Sequence, residues 1–168
     1  NKYYEAKYDL QVNDKVLEVE GKKVNSFSEI FSYINKSGAE TSKLTIRRGA
    51  SVKEIEVPYL LQPIVEAIEP LSAASLAGLQ IGDVFLTVEE KNLANFNDLR
   101  ELIINSEGRS LNVTIFRDGQ ILKKSIQPVL SPIENQNGDF DSIYRIGVAG
   151  GPIFYPPKET PNVLNALI

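Results

Sequence analysis

Leu79-Gln80-Ile81-Gly82-Asp83 has a counterpart 69 positions earlier, Leu10-Gln11-Val12-Asn13-Asp14, and this pairing decides the fold. At the same offset Leu17 meets Leu86, Val19 meets Val88 and Lys22 meets Lys91. Phe27 then meets Phe96, Ile30 meets Leu99 and Ile34 meets Ile103. Leu44-Thr45-Ile46 meets Val113-Thr114-Ile115, and Arg48 meets Arg117. Apolar positions keep register over about 40 residues, which chance rarely does. Two copies that each mix strands with helix make tandem domains rather than a solenoid, which needs more repeats to bury its faces.

Within each copy the polar turn ending in Asp14 or Asp83 opens a strand, Lys15–Val19 or Val84–Val88, rich in β-branched and aromatic residues. A helix follows, with a start signal in both copies. Ser26 with Glu29 has capping-box form, and Asn95 with Asp98 plays the same part. Phe27, Ile30, Phe31 and Ile34 fall on one helical face, as do Phe96, Leu99 and Ile103. Gly38 and Gly108 read as helix stops. Two strands come next, joined at Arg48-Gly49 and at Arg117-Asp118-Gly119, where Asp-Gly predicts a tight hairpin. The second copy carries more in front: a strand at Pro63–Ile68, a short helix at Ser72–Ala77 and Gly78 as its stop. The first has only Asn1–Asp9 there, which reads as too short for the same strand and helix, its opening elements trimmed.

Composition excludes most chemistry. The 168 residues include no His, Cys, Met or Trp. That removes Ser-His-Asp triads, Cys nucleophiles and His/Cys zinc sites, and leaves carboxylate-only metal sites open. With no Met anywhere, the chain reads as a processed or excised piece of a longer one. A formal net charge of −4 argues against nucleic acid, whose phosphates need a basic surface. No stretch approaches the ~18 apolar residues of a membrane span. The apolar content of 42% is enough for a real core.

Ser72-Ala73-Ala74-Ser75-Leu76-Ala77-Gly78-Leu79-Gln80-Ile81-Gly82-Asp83 resembles the helix-to-strand segment of a bacterial PDZ domain. Phe96-Asn97-Asp98-Leu99 and Gly108-Arg109-Ser110-Leu111 resemble that family's groove helix and the strand after it. The likeness covers about 65 residues of the second copy and about 50 of the first. The segment that resembles the family's carboxylate loop and peptide-binding strand, Tyr144-Arg145-Ile146-Gly147-Val148, follows the last hairpin instead of preceding the short helix. That circularly permuted order resembles the tandem PDZ region of bacterial site-2 proteases, which are intramembrane zinc metalloproteases.

The resemblance implies an α+β fold of two tandem PDZ-like domains, each a small, partly open β-barrel with one longer and one short helix. The expected division is 1–62 for an incomplete first domain, 63–151 for the second and 152–168 for a linker towards the membrane. The first copy lacks its own apolar-Gly-apolar segment, which puts its groove in doubt. The implied peptide site is Arg145, Ile146, Gly147 and Val148, faced by Arg100 and Ile104 one position off the helix's core stripe. The paired acids Glu18/Glu20 and Glu89/Glu90 read as solvated faces, and Asp14, Asp83, Arg48 and Arg117 as structural.

The family's His-Glu-x-x-His and Asn-Pro-Asp-Gly motifs are absent, so this piece has no catalytic residue and no cofactor of its own; zinc is implied for the parent enzyme alone. The implied role is control of substrate access in regulated intramembrane proteolysis from the periplasmic side of an inner membrane. The implied partner is a membrane-spanning protein such as an anti-sigma factor, or its C-terminal peptide, with this region monomeric. The alternative is the peptide-binding PDZ tandem of a periplasmic HtrA-type serine protease or a secretion-system adaptor.

Overall fold

Strand alternation explains how the chain is layered. In the computed structural model, which describes residues 2–37, 41–134 and 137–153, the neighbours Ile64 and Val65, and Val84 and Phe85, face different cores. The first copy opens with α1 (Lys2–Tyr8), then β1 (Lys15–Val19), β2 (Lys22–Lys23), α2 (Phe27–Ser37), β3 (Thr41–Arg48) and β4 (Ser51–Pro58). Its sheet has the order β2-β1-β3-β4, with antiparallel pairing throughout. The second copy runs β5 (Leu61–Ile68), α3 (Ala73–Leu76), β6 (Val84–Val88), β7 (Lys91–Asn92), α4 (Phe96–Ile104), β8 (Leu111–Arg117) and β9 (Gln120–Ile126). A two-stranded hairpin, β10 (Val129–Glu134) and β11 (Phe140–Arg145), leads to β12 (Val148–Pro152), which returns to pair with β5. The larger sheet therefore has the order β12-β5-β6-β8-β9, with β7 on β6.

The repeat recurs in fine detail. The ladder breaks register between Val16 and Glu18 in β1 and between Phe85 and Thr87 in β6, the same place 69 residues on. The extra residues, Leu17 and Leu86, offer their carbonyls to the N–H groups of Val24 and Leu93. Glu20 accepts from the Lys43 N–H and Glu89 from the Asn112 N–H, so these acids hold backbone in place. Asn95 and Asp98 form a complete capping box on α4; in α2, Ser26 accepts from the Glu29 N–H while Glu29 reaches back to the Asn25 N–H. At Asp118-Gly119 both residues have positive φ, as a two-residue primed turn requires.

Each copy is locked by a buried clasp. Arg48 grips both carboxylate oxygens of Asp14 at 2.7 Å, and Arg117 grips those of Asp83 at 2.6 and 2.7 Å. The same guanidiniums bond the carbonyls of Asp9 and Gly78, the residues that end α1 and follow α3 in left-handed conformation. The Arg48 hydrogen bond holds the Asp14 carboxyl below its ordinary range, and Asp14 in turn raises the Arg48 pKa. Asp9 is lowered as well, chiefly by Lys53 and then by Arg48.

Three details differ from the sequence reading. Asn1–Asp9 is long enough for the short helix: α1 sits where α3 sits in the second copy, so of the opening elements it is the strand before the helix that lacks a counterpart among the described residues. The helix α4 stops at Ile104, with Asn105 as its cap, and Gly108 closes the turn beyond, where a β-carbon would run into the Tyr144 ring. Gly38 lies outside the described residues. The segment Val57–Pro63 is largely strand: β4 ends at Pro58 and β5 begins at Leu61, so the 62/63 division falls inside β5.

Two cores result. One gathers Tyr4, Val19, Ile30, Ile34, Leu44, Ile46 and Val57 with Leu60, Ile64, Val84 and Ile153. The other gathers Val65, Ala74, Phe85, Val88, Leu99, Ile103, Val113, Ile115, Ile126 and Ile146. Adjacent residues point to opposite sides of the larger sheet: Ile64 and Val84 into the first core, Val65 and Phe85 into the second. Leu86 and Phe116 pack onto the first core too, and the Phe116 ring lies 4.9 Å from that of Tyr3.

Candidate functional site

The groove expected from the sequence is flanked by β12 and α4, which meet where the Phe96 ring lies against Gly150. β12 is an edge strand with β5 on one side. An edge strand presents unpaired backbone groups that an incoming extended segment can complete. The chain enters β12 through Gly147, whose φ of +79° is left-handed, and a β-carbon there would overlap the Ser72 side chain. Only glycine fits on both counts. The Gly147 carbonyl accepts from the Glu69 N–H at 2.9 Å and the Ile146 carbonyl from the Ala74 N–H at 2.8 Å. No described backbone group accepts from the Ile146 or Gly147 N–H. Two consecutive N–H groups beside a left-handed residue form a nest suited to a carboxylate.

The six residues singled out from sequence take different places. Gly147 and Val148 form the mouth of the loop and the first residue of β12. The Ile146 side chain is buried in the second core, so this residue can offer a ligand only its backbone. Arg145 is ion-paired with Glu69, which braces the loop. Arg100 is exposed on α4, and Ile104 is half-buried.

Sequence reasoning placed Phe96 in the core; it is half-buried and packs against the second core, with its ring where a β-carbon on Gly150 would be. An aromatic face of α4 thus packs against bare β12 backbone. The signal was available in Gly150-Gly151, since glycine inside a strand marks close approach of another group. Gln62 was also missed. It is buried, and its Nε2 donates to the carbonyls of Tyr59 at 2.6 Å and Ala94 at 3.0 Å.

The residues present do not fit a zinc site. The sequence has no His or Cys, and among the described residues no group of three or more acids is placed to hold a metal ion. No described helix is long and apolar enough to cross a membrane.

The profile of the PDZ domain family matches residues 64–117, from β5 through β8. Over this stretch the chain is similar to PDZ domains. The regulator of sigma-E protease of Escherichia coli is 35% identical over 88 residues, 52% of this chain and 18% of that protein. A Brucella suis protein that carries the name of a zinc metalloprotease is 28% identical over 89 residues, 53% of this chain and 24% of its own. A human protein, the 26S proteasome non-ATPase regulatory subunit 9, is 35% identical over 85 residues, 49% of this chain and 38% of its length. The chain thus resembles the PDZ region of site-2 zinc metalloproteases and spans about a quarter or less of the Escherichia coli and Brucella suis relatives.

Proposed function

We propose that this chain is the regulatory PDZ tandem of an intramembrane site-2 zinc metalloprotease, in circularly permuted order, with a link towards the membrane from 152. Residues 154–168 of that link lie outside the described residues. The observation that carries the reading is the Ile146-Gly147-Val148 loop opening onto edge strand β12 opposite α4. That arrangement suits an extended peptide that ends in a free carboxylate. Its backbone would add to β12, its terminal oxygens would meet the Ile146 and Gly147 N–H groups, and exposed Arg100 would draw an acidic end. The arrival of β12 after the last hairpin favours this parent over an HtrA-type protease, where the strand comes first.

In that setting the parent holds zinc and catalysis in its membrane helices, and this region stands on the periplasmic side. It admits a membrane-spanning protein, such as an anti-sigma factor, only after a first cut has exposed a new C-terminus. The tandem acts by capturing that end, by its bulk over the active site, or by both.

Calorimetry with short C-terminal peptides tests capture. Binding is expected for a free carboxylate and is expected to be lost on amidation. Equal binding of both forms, or none at millimolar peptide, overturns capture. Deleting the tandem from the parent tests the filter, since unchanged rejection of untrimmed substrate overturns it.

A further inference from the structure

Both walls of the groove are fastened at one junction, and the junction belongs to the first core. β12 pairs with β5 through Val148 and Ala149 on Ile68 and Ala67, Gly150 on Val65, and Gly151 and Pro152 on Gln62 and Leu61. The register shifts on each side of Gly150, so the groove half and the far half of the strand are separate stretches joined by Gly150-Gly151. The far half ends at Ile153, 4% exposed inside the first core, with its N–H on the Leu60 carbonyl at 3.0 Å. The opposite wall is tied by Gln62. Its amide joins the Tyr59 carbonyl to that of Ala94, the residue before the Asn95 cap of α4. A buried amide has few alternative partners, so losing these bonds leaves unpaired groups that the structure must move to satisfy.

We propose that Gln62 and Ile153 are positioning residues that set the spacing of β12 and α4, so that the packing of the first core governs the second copy's peptide groove. The inference rests on the reading of that groove as a peptide site. By linkage the effect is reciprocal: a peptide that holds β12 against α4 stabilises the first core by the same factor.

The test uses the whole chain and amide hydrogen exchange. Gln62→Met keeps the volume and removes both donated bonds; Ile153→Ala removes the anchor in the first core. Ile126→Val, in β9 of the second core, serves as a control at matched denaturation midpoint. Coupling predicts that Ile153→Ala speeds exchange at Ala149 about tenfold beyond the control. Gln62→Met is expected to do the same at Asn97 and Asp98 in the first turn of α4. Both variants are expected to weaken carboxylate-peptide binding by about tenfold, and adding peptide to the wild type to slow exchange in β3 and β4. Exchange at the groove that follows the control in both variants overturns the proposal, whether or not peptide binds. If the exchange pattern appears while the wild type binds no peptide, the groove is coupled as stated and the peptide reading is the part that fails.

Discussion

The two copies share their clasp and differ in what encloses them. In both, a buried carboxylate at the start of the central strand is gripped by an arginine at the end of the next long strand, which also caps the carbonyl that ends a short helix. Polar geometry this specific fixes the same register in each. The enclosing strands are another matter. The second copy has β5 and β12 beside β6, whereas the first has no counterpart of either among the described residues and completes its core with Leu60, Ile64, Val84 and Ile153. Each such side chain is worth about 1.5–3 kcal/mol when buried. The four together are comparable to the roughly 5–15 kcal/mol that a whole domain has to spare. Register is thus set locally in each copy, but stability is shared.

Separating the copies is the largest way to break this comparison. Residues 1–58 alone are expected to be unfolded, with collapsed amide dispersion in NMR, while 59–153 retains dispersed signals and self-associates through bared Ile64, Val84 and Leu86. A folded, monomeric 1–58 would show that the borrowed side chains are dispensable.

The clasps come next. Asp83→Asn leaves Arg117 without its charge partner and is expected to cost about 3 kcal/mol by denaturant titration. Asp14→Asn probes the first copy through pH. The Asp14 and Asp9 carboxyls are lowered in the folded state by Arg48 and Lys53, so their stabilisation is complete above the ordinary carboxylate pKa near 4 and is lost as pH falls through the lower folded values. Asp14→Asn is therefore expected to flatten the acid limb of the stability curve. An unchanged limb would remove Asp14 from the account.

A smaller effect is expected at the groove. Gly150→Ala drives a methyl into the Phe96 ring and should cost about 1–3 kcal/mol, with recovery in the double variant carrying Phe96→Leu. No recovery would place the strain elsewhere.

The smallest change sharpens the comparison in the opposite direction. Ser42 occupies the first copy's counterpart of Leu111, and its buried hydroxyl has no partner among the described residues. Ser42→Ala is expected to gain about 1 kcal/mol, read as a raised denaturation midpoint.

What could be read in the sequence was what repeats at short range. Capping residues and hairpin turns announce themselves because their partners lie within one copy a few residues apart, whereas Asp14, Asp83, Arg48 and Arg117 read as structural without being paired. The short helix α1 was missed because Lys2–Tyr8 has a single small residue, Ala6, where α3 has Ala73, Ala74 and Ser75. The burial of Ile153, the bridging amide of Gln62 and the seat of Phe96 against Gly150 depend on contacts between distant segments. Neither apolar periodicity nor local turn chemistry encodes such contacts. Ile146 illustrates the gap. Its place in the loop was legible, but the inward turn of its side chain follows from packing on the second core.

The two-sided burial of β6 has a consequence for how this sequence can vary. Val84 and Phe85 are each 1% exposed though they point in opposite directions, so this strand has no solvent face at its start. In a mutational scan, most strands of this chain should tolerate polar residues at every second position. At Val84-Phe85-Leu86 that alternation should vanish, leaving a short block of intolerance where the histories of the two copies are tied together.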